Sequence, residues 1–301
     1  MQNRKQRYLG ALLGLATGDA LGTTLEFKER GSFEPLMDLV GGGPFRLQAG
    51  QWTDDTSMAL CLATSLLSCN GFDADDQMQR YNNWRTQGYM SSNGRCFDIG
   101  VTVSEALSQY LSDGNPYAGS TNPFSAGNGS LMRLAPVVMF YSPNLNQVIH
   151  FAGESSRTTH AAKECIDACC YFASLLHCAF SGEDKERILS CSLYQPTTRK
   201  IKAIQQQAYR EKSAMDIKGS GYVVDCLEAA LWCFAKSDNY ADAVLLAANL
   251  GDDADTTAAV CGQIGAFYGL QGIPTKWLEK ITQAQDIQVM AEQLYDIGRN
   301  K

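Results

Sequence analysis

The sequence has no lysine, arginine or histidine across residues 47–79, and none across residues 237–275. Carboxylates inside those stretches have no cationic neighbour along the chain. With only 3 histidines, a His-based zinc site has little support. The 11 cysteines are odd in number and include no Cys-x-x-Cys pair, which argues against metal or redox use. Cys165, Cys169 and Cys170 fall on one predicted helix, where buried thiols act as small hydrophobes. No run approaches the roughly 20 apolar residues of a membrane span. The start, Met1-Gln2-Asn3-Arg4-Lys5-Gln6-Arg7, is basic, and residues 9–21 are fairly apolar. Asp19 interrupts that run and Glu26 follows, so it reads poorly as a signal peptide. The expectation is a cytoplasmic protein. A nucleophile elbow of the Gly-x-Ser-x-Gly kind is missing, as is a Walker ending.

A hydrophobic content of 45% against 19% charged residues, in a chain of 301, indicates a folded protein with one large core or two modest ones. The net charge of -7 argues against broad binding to nucleic acid or anionic membranes. It leaves room for an anionic substrate, because bound metal can reverse the sign of a site.

Apolar residues recur at helical spacing almost throughout. Tyr8, Leu9, Leu12, Leu13 and Ala16 mark a first helix. Met58, Leu62, Leu66 and Leu67 mark another, entered from Thr53. Val103, Ala106, Leu107, Tyr110 and Leu111 form a third. Residues 161–180 are apolar nearly all round, as in a helix at the centre of a bundle. Residues 224–234, 241–250 and 256–268 give three more, the last two rich in alanine, which permits close packing. Period-two alternation is absent. The fold class expected is all-α, a compact multi-helix bundle forming a single domain over residues 1–301. Gly41-Gly42-Gly43-Pro44 and residues 112–129 and 181–184 read as loops.

Two acidic motifs stand out: Thr53-Asp54-Asp55-Thr56 and Gly251-Asp252-Asp253-Ala254-Asp255-Thr256. Each begins a helix, so helix capping competes with metal binding. A cap uses one side-chain oxygen, whereas three acids crowd residues 252–255. Carboxylate and hydroxyl oxygens suit hard divalent cations, which points to Mg²⁺ or Mn²⁺. Between the motifs lies Phe124-Ser125-Ala126-Gly127-Asn128-Gly129-Ser130, whose glycines allow a ligand to approach the backbone. Taken alone, that stretch is better explained by an ordinary turn. Thr159-His160 precedes a helix. His150 is expected at a loop edge and His177 within a helix.

These residues, with Gly18-Asp19-Ala20-Leu21-Gly22 and Glu26, stand in the order found in the ADP-ribosylhydrolase family. The chain resembles the type that includes the dinitrogenase-reductase-activating glycohydrolase, over most of its length. The resemblance implies a helical domain with two Mg²⁺ (or Mn²⁺) in a cleft. It implies metal ligands at Thr53, Asp54, Asp55, Asp253, Asp255 and Thr256, and catalytic roles for Glu26 and Asp55. Ser125, Gly127, Asn128, Gly129 and His160 would hold the diphosphate and ribose. Asp98 would line the substrate entrance, with a helix cap as its alternative. Where many members have Gly-Gly-Asp-Thr-Asp-Thr, this chain carries Asp252 and Ala254.

The reaction so implied is hydrolysis at ribose C1 of ADP-ribosylated proteins, from arginine first, releasing ADP-ribose. Serine, nucleic-acid or small-molecule linkages remain open, and so does a non-catalytic ADP-ribose-binding role. A metal-dependent phosphohydrolase is a third reading. Membrane partners are not expected, and nucleic acid is disfavoured.

Overall fold

In the computed structural model, which describes residues 4–299, the helical periodicity resolves into helices joined by loops, with no strand among those residues. Met1, Gln2 and Asn3 of the basic amino-terminal stretch lie outside the described residues. The first half contains α1 (Arg4–Gly22), α2 (Asp54–Ser68), α3 (Ala74–Gln87), α4 (Val101–Asp113), α5 (Ala135–Tyr141), α6 (Leu145–Arg157) and α7 (Lys163–Ser181). Then come α8 (Lys185–Leu189), α9 (Arg199–Gln205), α10 (Val223–Lys236), α11 (Tyr240–Ala248), α12 (Ala254–Gln263), α13 (Gly265–Tyr268), α14 (Thr275–Leu278) and α15 (Ala284–Gly298).

Local sequence sets many of the boundaries. Asp73, Asn144, Asp184 and Asn239 accept hydrogen bonds from the first-turn amides of α3, α6, α8 and α11, satisfying donors that a helix start leaves free. Gly88, Gly114 and Gly182 end α3, α4 and α7 in the left-handed conformation, which glycine adopts without steric cost. Helix α7 is buried nearly all round, matching its apolar sequence.

Three expectations need correction. The single helix expected over residues 256–268 is two, broken at Ile264. There the amides of Ile264 and Phe267 bond three residues back, to Cys261 and Ile264. His150 lies within α6 and not at a loop edge. The helix after His160 begins at Lys163, two residues later than expected.

Helix α1 packs closely on α12 and α13. Gly10, Gly14, Gly18 and Gly22 recur every fourth residue and so form one ridge of α1. A β-carbon placed on Gly18 would lie 2.2 Å from the Ala258 carbonyl oxygen, and one on Gly14 would lie 2.4 Å from that of Gly262. At Gly22 it would meet the Ala254 oxygen at 2.4 Å, and at Gly10 the Gly265 oxygen at 2.5 Å. The helices therefore run antiparallel with backbone against backbone. The Tyr240 hydroxyl donates to the Gly14 carbonyl at 2.6 Å beside this seam.

Gly18→Ala must push two backbones apart, so it should destabilise the fold by about 1–3 kcal/mol despite alanine's better helix propensity. Gly71→Ala, whose β-carbon would meet nothing nearer than 3.9 Å, should stay within about 0.5 kcal/mol of the parent. Urea denaturation of both variants measures the difference.

Candidate active site

The seam carries one acidic motif to the other. Asp19, on α1, is fully buried. Its Oδ1 accepts from the Thr53 amide and hydroxyl, both at 2.9 Å. Its Oδ2 accepts from the Thr56 amide at 3.0 Å and the Thr56 hydroxyl at 2.6 Å. Asp19 thus caps α2 from another helix. Thr53, at the N-cap position, makes no side-chain cap bond. The carboxylates of Asp54 and Asp55 are left free for other work.

The second motif is arranged in the same way. Asp253 occupies the N-cap position of α12 without a side-chain cap. Its Oδ2 instead accepts from Asn128 Nδ2 at 2.5 Å. The free amide of Asp255 donates to Glu26 Oε2 at 3.2 Å. The Thr53 hydroxyl lies 3.3 Å from both Asp55 Oδ2 and Asp255 Oδ2, so the two motifs touch across 202 residues of chain.

Two carboxylate clusters result. Asp19, Asp55 and Asp255 bring one oxygen each within 4.8 Å of one another, as do Glu26, Asp253 and Asp255. Asp255 belongs to both. None of Asp19, Glu26, Asp54, Asp55, Asp253 or Asp255 is in an ion pair among the described residues. Two like charges about 4 Å apart near a protein surface repel by roughly 4 kcal/mol. Several such pairs cannot all remain ionised without a cation.

The proton affinities reflect this crowding. Burial, with repulsion from Asp255 and Asp19, holds Asp55 well above the usual carboxylate range. Burial, then Asp98 and Asp255, does the same for Asp54. Burial and the charges of Asp255 and Asp253 raise Glu26. Asp253 is pushed up to about 7 by burial and Asp255. Asp98 is pushed up to about 6, chiefly by burial.

The glycine loop faces these acids. The Asn128 amide donates to the Gly221 carbonyl at 3.1 Å, and the Val223 amide to that of Ala126 at 3.0 Å. The loop is therefore clamped to residues 219–223, which also hold the Asp253 amide through the Gly219 carbonyl at 2.8 Å. His160 packs beneath it. A β-carbon at Gly129 would lie 2.7 Å from His160 Cε1, so only glycine fits. Burial and the nearby Arg133 cation lower the His160 imidazole to about 3, keeping it neutral. Its Nδ1 is 2.9 Å from the Thr159 hydroxyl. Arg133 spans Gly129, Ser155, Thr158 and Thr159 and ties the loop to the histidine.

A cavity of about 430 Å³ brings together Glu26, Asp54, Asp98, Gly127, Asn128, Gly129, His160, Asp253, Asp255 and Thr256. Thr53 and Asp55 do not line it, although both approach Asp255. Ser125 lines a second cavity of about 870 Å³, which shares Thr102, Gly127 and Gly221 with the first. Asp98 does not cap α4, whose N-cap position is Gly100 without a side-chain bond. Sequence reasoning assigned no site role to Asp19, although it named its motif, and overlooked Gly219-Ser220-Gly221-Tyr222. The Gly-Ser-Gly run was the available signal. Also overlooked were Glu164 and Lys200 in the larger cavity. Neither residue has a sequence pattern around it.

The residues present fit divalent metal. Asp55 Oδ1 is buried without a hydrogen-bond partner, the donors are all oxygen, and the negative charge is uncompensated.

An acidic centre of this kind, set in a helical bundle beside a glycine loop, fits a metal-assisted hydrolase. Residues 1–301 match the profile of the ADP-ribosylglycohydrolase family, and the chain belongs to that family. It is 48% identical to the ADP-ribosylarginine hydrolase Tri1 of Pseudomonas putida (strain GB-1), over 96% of this chain and 78% of that protein. Its identity to the ADP-ribosylarginine hydrolase Tri1 of Serratia proteamaculans (strain 568) is 46%, over 95% and 78%. The ADP-ribosyl-[dinitrogen reductase] glycohydrolase of Rhodospirillum rubrum is 31% identical, over 91% and 90%. The similarity therefore does not favour the dinitrogenase-reductase type expected from the motifs. A solved structure described as an ADP-ribosylglycohydrolase-related protein complex superposes with a TM-score of 0.88 at 40% identity, covering 99% of this chain and 100% of that one.

Asp98 and Asp253 titrate higher in the folded, metal-free protein than in an unfolded chain, where aspartate titrates near 3.9. The folded state then binds more protons between roughly pH 4 and pH 7, so stability falls as pH rises through that window. Chelated protein should lose thermal stability from pH 5 to pH 7.5 by scanning calorimetry. Mn²⁺ at a hundredfold its Kd should restore about 2.7 kcal/mol at the higher pH. Asp255→Ala, which breaks both clusters, should abolish that metal response.

Proposed function

We propose that this protein is a Mg²⁺- or Mn²⁺-dependent hydrolase that removes ADP-ribose from arginine side chains of modified proteins. The observation that carries this reading is the pair of carboxylate clusters sharing Asp255, beside the Gly127–Gly129 loop. The names of the relatives at 48% and 46% identity support arginine as the acceptor. The catalytic unit is taken to be one domain over residues 1–301, supported by a contiguous hydrophobic core. A cytoplasmic location is in keeping with cysteines that are all unpaired. No helix among the described residues is long and apolar enough to cross a membrane.

Two metal ions would be held by Thr53, Asp54, Asp55, Asp253, Asp255 and Thr256, and would supply Lewis acidity toward ribose hydroxyls or a water. Ser125, Gly127, Asn128, Gly129 and His160 would hold the diphosphate and adjoining ribose. Neutral His160 suits a place where a hydrogen bond is wanted without charge. The larger cavity offers the Phe124 and Tyr222 rings, surfaces on which a nucleotide base stacks.

Cleavage at ribose C1 passes through an oxocarbenium-like state. Carboxylates around the reacting carbon would stabilise the developing positive charge. Glu26 is favoured over Asp55 as the residue that takes a proton from the attacking water. It lines the cavity, whereas Asp55 does not. Asp98, on the same cavity, would pair with the guanidinium.

Incubating the enzyme with arginine-, serine- and nucleic-acid-linked ADP-ribose, each with Mg²⁺, Mn²⁺ or chelator, tests the assignment. The expected result is free ADP-ribose from the arginine substrate, dependent on metal. AMP as product would establish a phosphohydrolase, and no release from any substrate would establish a binding protein.

Glu26→Gln should lower kcat on ADP-ribosyl-arginine by about 10²–10⁴-fold. Asp98→Ala should mainly raise KM, by about tenfold. Steady-state kinetics separate the two effects, and a wild-type rate for Asp98→Ala would remove its proposed role.

A further inference from the structure

The acidic cavity lies in series between two others. It shares Thr102, Gly127 and Gly221 with the 870 Å³ cavity. On another side it shares Phe27 and Asp252 with a groove of about 510 Å³. The two outer spaces have no lining residue in common. An ADP-ribosylated protein is divided at C1 into a nucleotide and a polypeptide. If the nucleotide occupies the larger cavity, the polypeptide leaves past Phe27 and Asp252.

That exit is exposed and mixed, with apolar surface from Phe27, Met215, Ile217 and Leu250 beside the charges of Lys28, Glu29, Arg30, Lys218 and Asp252. Phe27 is 67% exposed and Met215, in the groove, 83%. The rings of Phe27, Phe45 and Phe97 form a row, with centroids 6.2 Å and 5.2 Å apart. Solvation alone does not favour such a row at a surface.

The row is also held in place. Phe45 sits in a four-residue turn closed by reciprocal backbone bonds between Gly42 and Leu47, at 2.7 Å and 2.9 Å. The turn is seated on the segment before Glu26: a β-carbon on Gly43 would lie 2.0 Å from the Thr23 carbonyl oxygen. Phe27 has φ 60 and Asp252 φ 61. The Phe27 amide donates to the Asp252 carbonyl, and the Asp252 amide to that of Lys28, both at 2.8 Å. This gives the Gly41-Gly42-Gly43-Pro44 loop and Asp252 a shared task, fixing the rim.

We infer that the Phe27–Phe45–Phe97 row and the adjoining Met215 groove form the docking surface for the polypeptide flanking a modified arginine, with an apolar flanking residue seated on the rings. The inference rests on the arginine-linked reading of the site. Charge complementarity at the mouth selects this occupant: Asp98 and Asp252 border the rim, and the guanidinium that must cross it is cationic, whereas Lys28, Arg30 and Lys218 lie further along the groove. A surface meant for a second copy of the chain would have no use for those acids beside a catalytic mouth.

The test compares two substrates, an ADP-ribosylated protein and free ADP-ribosyl-arginine. Phe45→Ala and Met215→Asp should each reduce kcat/KM for the protein substrate by about tenfold, roughly the loss expected when one apolar contact is removed. Both should leave free ADP-ribosyl-arginine within about twofold of the parent, which also reports that the fold is intact. Phe45→Leu should recover most of the loss on protein. Equal losses on both substrates, or none on either, would overturn docking while leaving the activity in place. Parent enzyme inactive on both would overturn the functional reading and this one with it. A concentration-dependent dimer in light scattering, abolished by Phe45→Ala, would assign the surface to self-association instead.

Discussion

The approach of α1 to α12 at backbone distance is the constraint on which the site depends. Gly18 and Gly22 let α1 lie directly on α12. Between them, Asp19 leaves α1 and reaches the start of α2, and shortly after Gly22 the chain presents Glu26 to the start of α12. A helix pair at the usual 8–10 Å spacing would place Asp19 too far from Thr53 and Thr56 to cap α2. It would also separate Glu26 from the Asp255 amide. The two helix starts that carry the acidic motifs are therefore positioned by the same seam.

The seam also concentrates charge. Buried carboxylates without counter-ions are unfavourable, and here they share the space that a divalent cation fits. Capping by Asp19, in place of local side chains, leaves Asp54 and Asp55 uncommitted. Asn128 and the Asp255 amide orient Asp253 and Glu26 without neutralising them. Stability is thereby sacrificed in the metal-free protein, and the oxygen atoms are arranged before metal arrives.

Much of this was legible in the chain. The helix periodicity placed α1, α2, α4, α7, α10 and α11 close to where they occur, because buried faces repeat at 3.6 residues. The absence of cations around both acidic motifs marked them as more than caps. What was illegible is long-range. Asp19 is one acid within an apolar helix, and nothing local says that its partners lie 34 and 37 residues away. Glu164, Lys200 and Tyr222 acquire meaning only when α7, α9 and the start of α10 form a common wall. The break at Ile264 escapes periodicity because residues on both sides continue the same apolar face.

Asp252 illustrates how a departure from a motif can be absorbed by backbone. Its side chain is exposed, and it stands in the left-handed region, where a glycine would be less strained. Aspartate tolerates that region better than most residues. Its amide and carbonyl both bond to the segment carrying Phe27 and Lys28, so the conformation is fixed from outside the motif. Asp253 and Asp255, the proposed metal ligands, remain grouped with Glu26, and the extra carboxylate faces the rim. The extra acid therefore adds negative charge at the entrance, outside the two carboxylate clusters.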